Sequence, residues 1–149
     1  MFSGRFDHSI DDKGRVSIPS RFREVLQRDQ FESLVITNFF SMKEKCLLLY
    51  PPNEWQRLVG ALRQKPSFDT DMQQFQTFFI GGAHEVQVDR QGRILIPPKL
   101  RDFAGLDRDV TFSAMVDHFQ LWNADKLAKK LKAAEQRMKD PKFMERINL

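Results

Sequence analysis

One cysteine, one tyrosine and three histidines in 149 residues leave little of the side-chain chemistry on which many enzymes depend. A single cysteine excludes an intramolecular disulfide. Cys46 lies in the apolar run Cys46-Leu47-Leu48-Leu49-Tyr50, where a small core thiol is expected rather than a nucleophile. His8, His84 and His118 have no metal-ligand spacing, and structural roles are expected of them. No glycine-rich phosphate loop is present either, and no cofactor, metal or small-molecule substrate is expected. No run approaches the ~18 apolar residues of a membrane span, and Met1-Phe2-Ser3-Gly4-Arg5 lacks the apolar block of a signal peptide. A cytoplasmic protein with no membrane partner is the expectation.

What is present is an ordinary globular composition, 41% hydrophobic and 30% charged, long enough to bury a core without a staple. The net charge of +4 resides entirely in residues 125–149, which hold 8 basic and 4 acidic side chains. The first 124 residues are neutral in sum. A basic surface there has to come from folding, or from several copies assembling.

Sliding the chain along itself reveals a repeat. Residues 10–24, Ile-Asp-Asp-Lys-Gly-Arg-Val-Ser-Ile-Pro-Ser-Arg-Phe-Arg-Glu, align at an offset of 78 with residues 88–102, Val-Asp-Arg-Gln-Gly-Arg-Ile-Leu-Ile-Pro-Pro-Lys-Leu-Arg-Asp. Six of these fifteen positions are identical, and most of the others are conservative. Leu49-Tyr50-Pro51-Pro52-Asn53 and Leu121-Trp122-Asn123-Ala124-Asp125 extend the likeness downstream. Two copies are too few for a solenoid, so they are expected to pack about a pseudo-two-fold axis. The organisation read from this is an α+β chain: repeat one at residues 5–52, a helical linker at 53–80, repeat two at 81–124, and a basic C-terminal helix and tail at 125–149.

Each copy opens with alternation, Phe6-Asp7-His8-Ser9-Ile10 and His84-Glu85-Val86-Gln87-Val88, which suits half-buried strands. A tight hairpin loop ending in Gly14 or Gly92 follows, then a return strand and a short helix that the prolines can start. The helices carry Phe22, Val25 and Leu26 in one copy and Leu100, Phe103 and Ala104 in the other, with Gly105 as a stop. Further strands are expected at 33–39, 46–50, 110–115 and 118–122. In the linker, Asn53 is read as capping a helix with Trp55, Leu58, Val59 and Leu62 on one face, and a second helix bearing Met72, Phe75 and Phe79 ends at Gly81-Gly82. A last helix, striped with Leu127, Leu131, Ala134 and Met138, stops before Pro141.

The candidate chemistry lies in the repeated turns. Asp11 and Arg15, like Asp89 and Arg93, stand four apart, close enough for the carboxylate to brace the guanidinium. An isolated pair of this kind is a surface salt bridge worth roughly 0–1 kcal/mol. Two copies that keep Asp-x-x-Gly-Arg while varying the intervening residues point instead to a positioned arginine suited to phosphate or guanine. Lys13, Arg90, Arg21, Arg23, Lys99 and Arg101 extend this basic set, either as phosphate contacts or as a solvated face. As a proton-transfer pair Asp11 and Asp89 are poor candidates, since each has an arginine that depresses its pKa. Phe supplies 14 of the 17 aromatic residues and sits in apolar segments, which favours core and subunit interface over base stacking.

Asp11-Asp12-Lys13-Gly14-Arg15-Val16-Ser17-Ile18-Pro19-Ser20-Arg21-Phe22-Arg23 and Asp89-Arg90-Gln91-Gly92-Arg93-Ile94-Leu95-Ile96-Pro97-Pro98-Lys99-Leu100-Arg101 closely resemble the paired motifs of the MraZ family. Leu47-Leu48-Leu49-Tyr50-Pro51, Trp55 and Ala104-Gly105-Leu106 support the likeness, which covers residues 1–125. That family regulates the bacterial division and cell-wall gene cluster and is built from two units like those of AbrB and SpoVT. The resemblance implies a swapped-hairpin β fold, assembly into a ring-like homo-oligomer, and binding to repeated double-stranded promoter DNA as a nucleoid-associated autorepressor. It maps DNA contact onto Arg15 and Arg93, with Asp11, Asp89, Gly14 and Gly92 bracing the loops. Asp117-His118-Phe119-Gln120 departs from the family's usual Asn-basic-Phe-Glu run, outside the motif. The tail from residue 126 carries little of the family signature. The rival readings are a non-enzymatic assembly protein that does not bind DNA and, more distantly, an enzyme acting through Asp11 and Asp89.

Overall fold

The computed structural model describes residues 1–149. Strands β1 (Arg5–Ser9) and β2 (Arg15–Ser17) flank the first turn and are followed by helix α1 (Ser20–Arg28) and strands β3 (Ser33–Ser41) and β4 (Glu44–Tyr50). Helices α2 (Pro52–Arg63) and α3 (Thr70–Phe79) form the linker. The second copy repeats the order with β5 (His84–Gln87), β6 (Arg93–Leu95), α4 (Pro98–Phe103), β7 (Asp109–Ala114) and β8 (Phe119–Asn123). Helices α5 (Ala124–Met138) and α6 (Pro141–Ile147) complete the chain.

The first strand of each copy pairs with the third strand of the other. In one half β1 lies antiparallel to β7 with Phe6 opposite Phe112, and in the other β5 lies antiparallel to β3 with His84 opposite Ile36. The central pairing of β4 with β8 closes a six-stranded sheet in the order β1-β7-β8-β4-β3-β5. The two short return strands, β2 and β6, leave that sheet and pair with each other, Val16 opposite Ile94. This reciprocal exchange is the swapped-hairpin arrangement, and it places the pseudo-two-fold axis at the Val16–Ile94 pair. Neither copy can complete its sheet alone, since an unpaired strand would expose a row of backbone N–H and C=O groups.

Strand alternation sorts side chains onto the two faces of the large sheet. Leu47 and Leu49 of β4, with Phe119 and Leu121 of β8, join Val16, Ile94, Phe22 and Leu100 in a core of 20 buried residues. Cys46, Leu48, Tyr50 and Trp122 point the opposite way, into a smaller core closed by Phe79 of α3 and Leu127 of α5. The protein is therefore layered, with the β2–β6 ribbon, α1 and α4 on one side of the sheet and α2, α3 and α5 on the other. Cys46 is fully buried and its thiol is pushed up to about 12 by burial, as befits a core residue. Phe22 meets Phe2 and Phe6 edge-on at 5.3 Å and is 1% exposed. Phe22→Ala is expected to cost about 3–5 kcal/mol in urea unfolding.

The structure departs from the local expectations at two places. Asn53 does not cap α2. That helix starts at Pro52, with Pro51 in the cap position and no side-chain cap, because a proline at the first helical position has the required φ and needs no N–H partner. Helix α6 was not anticipated in the tail. Asp140 caps it by accepting from Lys142 N at 3.0 Å, and Arg137 lies 4.4 Å from the ring centroid of Phe143, tying it back to α5. Gly105 does stop α4, at φ +62°, and α3 ends against Gly81 and Gly82.

Candidate nucleic-acid interface

Each turn is closed by the same five hydrogen bonds. Asp11 N donates to Arg15 O at 2.9 Å and Gly14 N to Asp11 O at 3.0 Å; the equivalents at Asp89, Gly92 and Arg93 are both 2.9 Å. The carboxylate then binds its arginine twice. Asp11 Oδ1 accepts from Arg15 N at 2.9 Å and Oδ2 from Arg15 Nε at 2.8 Å, while Asp89 accepts from Arg93 N at 2.9 Å and Nε at 3.1 Å. Lys13 N and Gln91 N complete each Asx turn at 2.9 Å. Donation by the backbone N–H of the arginine, ahead of its side chain, holds both carboxyls below the usual carboxylate range. Ionised carboxylates locked in this way brace a cation and make poor general acids.

The swap puts both arginines on one surface. Val16 and Ile94 of the ribbon point into the core, so Arg15, Ser17, Arg93 and Leu95 alternate to the opposite, outward face. The side chains of Arg15 and Arg93 remain 35% and 30% exposed, with Nε committed to the carboxylate and both terminal nitrogens free of protein hydrogen bonds. The turns extend this face at its two ends, where Lys13 and Arg90 are exposed. Glycine is needed at φ +85° in one turn and +76° in the other. Their carbonyls are used across the axis, Gly14 O accepting from Ile96 N and Gly92 O from Ile18 N.

The remaining basic residues divide. Arg23 of α1 crosses to the second copy, where its side chain lies against Gly92 and Nη1 donates to Gln91 O at 3.5 Å. Its Nε is buried without a partner. Arg101 of α4 does the reciprocal thing near Gly14, and donates from Nε to Leu106 O at 3.2 Å and from Nη2 to Asp107 O at 3.4 Å. Both guanidinium groups thus stand behind the opposite copy's turn. Arg21 lines a depression with Met1, Phe2 and Ser3, away from the turns, and Lys99 is exposed on α4. Sequence reasoning passed over Ser17 and Leu95. Leu95 is 56% exposed on the ribbon's outward face, opposite Arg15, and the signal for it was the period-2 alternation around Val16 and Ile94. The departing residues 117–120 are accommodated locally: Gln120 is buried and accepts from Trp122 Nε1 at 2.8 Å.

Two swapped-hairpin units sharing one sheet, with paired arginine turns astride their axis, define a duplicated AbrB-like protein. The family described as "MraZ protein, putative antitoxin-like" matches residues 1–78 and again residues 79–144. The chain is 42% identical over 122 residues to the transcriptional regulator MraZ of Syntrophobacter fumaroxidans, covering 82% of this chain and 79% of that protein. It is 44% identical over 126 residues to that of Acetivibrio thermocellus, covering 85% and 83%. Against that of Thioalkalivibrio sulfidiphilus the identity is 42% over 125 residues, covering 84% and 81%. The chain belongs to the MraZ family. No helix is long and apolar enough to cross a membrane.

Proposed function

We propose that this protein is a sequence-specific DNA-binding transcriptional regulator that reads duplex DNA through the outward face of the β2–β6 ribbon. The observation that carries the reading is the pair Arg15 and Arg93, each fixed at Nε and open at both terminal nitrogens, on one face of a two-stranded ribbon. A ribbon of this width enters a major groove, and a guanidinium presented edge-first suits bidentate contact with guanine or phosphate. Leu95, opposite Arg15 on the same face, offers an apolar contact for a thymine methyl. Lys13 and Arg90, at the ribbon's ends, reach flanking phosphates, as does Lys99. Arg23 and Arg101 act through the turns they support.

One ribbon presents few cations, and the chain before its tail carries no net charge. Useful affinity then calls for several copies, and a ring-like homo-oligomer placing many ribbons on one rim supplies it through effective concentration. Exposed Phe40, Met42, Phe68 and Met115 provide apolar surface for that assembly. The regulator occupies repeated promoter sites of the division and cell-wall cluster to which its own gene belongs, as an autorepressor, and is associated with the nucleoid. The reading of an enzyme acting through Asp11 and Asp89 loses its support, since both carboxylates are taken up in bracing arginines.

Selection of bound sequences from random duplexes tests this reading. Enrichment of a short motif in repeated, regularly spaced copies is expected, together with retention that falls steeply with salt. Recovery of unselected sequence with no salt dependence would overturn it.

A further inference from the structure

The large sheet separates two basic surfaces. The ribbon lies on one side, whereas α5 packs on the other, with Leu127 and Leu131 in the smaller core. Layers of this kind are about 10 Å apart, so the outer face of α5 and the outer face of the ribbon are separated by the full thickness of the protein. A duplex seated on the ribbon cannot reach α5 of the same chain.

That helix nevertheless carries most of the chain's charge excess. Lys129, Lys132 and Lys139 point outward and are exposed, with Lys130 and Arg137 on the adjoining flank. None of the five is held in an ion pair; the single salt bridge of α5 joins Lys126 to Glu44 at 3.8 Å. Residues 129–139 extend over roughly 15 Å at 1.5 Å per residue, long enough to follow a phosphate backbone. The apolar stripe is used against the sheet at Leu127 and Leu131, and of the helix's large apolar side chains only Met138, at its C-terminal end, is exposed, too little to anchor it in a bilayer. Four flexible lysine point charges, with Arg137 occupied over the Phe143 ring, suit sequence-independent contact with a polyanion.

We infer that α5 is a second DNA-binding surface, which takes a separate duplex without sequence preference and so lets the protein bridge two DNA segments. This inference rests on the ribbon function proposed above. It assigns different surfaces to the two duplexes, and that separation is what can be tested.

The selected duplex is fixed to beads and loaded with full-length protein, and a labelled duplex of unrelated sequence is added at low salt. The unmodified protein should retain the labelled duplex. Lys129→Glu/Lys132→Glu should retain about tenfold less of it while loading on the fixed duplex changes less than about twofold, a split that only separate surfaces produce. Lys129→Gln/Lys132→Gln, milder in charge, should fall between. Circular dichroism establishes that both variants are folded. Undiminished bridging by the Glu variant overturns the inference, as does failure of the unmodified protein to retain the second duplex. Equal loss on both duplexes overturns it by showing one shared surface, and loss of anionic vesicle binding with bridging intact assigns α5 to a membrane instead. Failure to load on the fixed duplex at all overturns the ribbon function itself, and this inference with it.

Discussion

The turns Asp11–Arg15 and Asp89–Arg93 share almost every hydrogen bond, yet they differ in what stands behind them. Asp12-Lys13 in one is replaced by Arg90-Gln91 in the other without effect on closure, so the intervening side chains do not set the geometry. Asp, Gly and Arg do. Behind Gly14, a methyl group would meet Arg101 Nη1 at a comfortable 3.6 Å, whereas behind Gly92 it would come within 2.3 Å of Arg23 Cδ. Arg101 is also anchored to two carbonyls of its own copy, while Arg23 has one long contact and a buried unpaired Nε. Duplication has preserved the presentation of the arginine and let its support diverge.

The largest effect should come from filling those glycines. Either substitution by alanine forces an L-residue into left-handed backbone, at about 1–2 kcal/mol. Gly92→Ala should cost more than Gly14→Ala in urea unfolding, because it also displaces Arg23, and it should weaken DNA binding more. Equal costs would show that the two supports are equivalent after all. A smaller difference is expected from the supports themselves. Arg23→Ala should accelerate amide exchange at Gly92 and lower DNA affinity several-fold. Arg101→Ala should chiefly loosen Leu106 and Asp107, where it removes hydrogen bonds worth about 0.5–1.5 kcal/mol each. Exchange that rises equally in both turns for either variant would count against a cross-copy role.

The carboxylates give the mildest test. Asp11 and Asp89 have depressed pKa values in the folded protein. Their stabilising contribution is therefore complete above the ordinary carboxylate value, about 3.9, and is lost as pH falls through the lower folded value. Resonances of both turns, followed by NMR, should stay fixed from neutrality to about pH 5 and move together only in more acid solution. Asp11→Asn and Asp89→Asn should remove that transition and weaken DNA binding less than loss of the arginine.

Much of this was legible before the fold was known. The offset of 78 gave the pseudo-two-fold relation, because two copies of one unit tend to pack symmetrically, and Asp-x-x-Gly-Arg gave the braced arginine, because that brace spans only four residues. The swap was not readable from the residues: alternation in Phe6–Ile10 is satisfied equally by pairing with β2 or with β7, and only the family resemblance implied the exchange. For the same reason Arg23 and Arg101 read as partly exposed helix cations, for phosphate contact or a solvated face, since the turns they support are 69 residues away for Gly92 and 87 for Gly14. Leu95 was hidden by its apolar neighbours, Ile94 and Ile96, which give the return strand no polar residue to mark its outward face. The opposed placement of α5 was also invisible, because charge counting locates an excess along the chain and not on a side of a sheet.

The central claim is that Arg15 and Arg93 jointly contact DNA from one ribbon face, and the double variant Arg15→Ala/Arg93→Ala tests it most directly. Exposed turn arginines contribute little to folding, so its thermal stability and assembly state should match the unmodified protein. Its binding to the selected duplex, titrated over a range of salt, should fall strongly. If the arginines read bases, discrimination against scrambled DNA should shrink by roughly 1–3 kcal/mol per contact; if they hold phosphates, both affinities should fall and the salt slope should flatten. A folded and assembled double variant that binds the selected site with unchanged affinity and unchanged salt dependence would contradict the account.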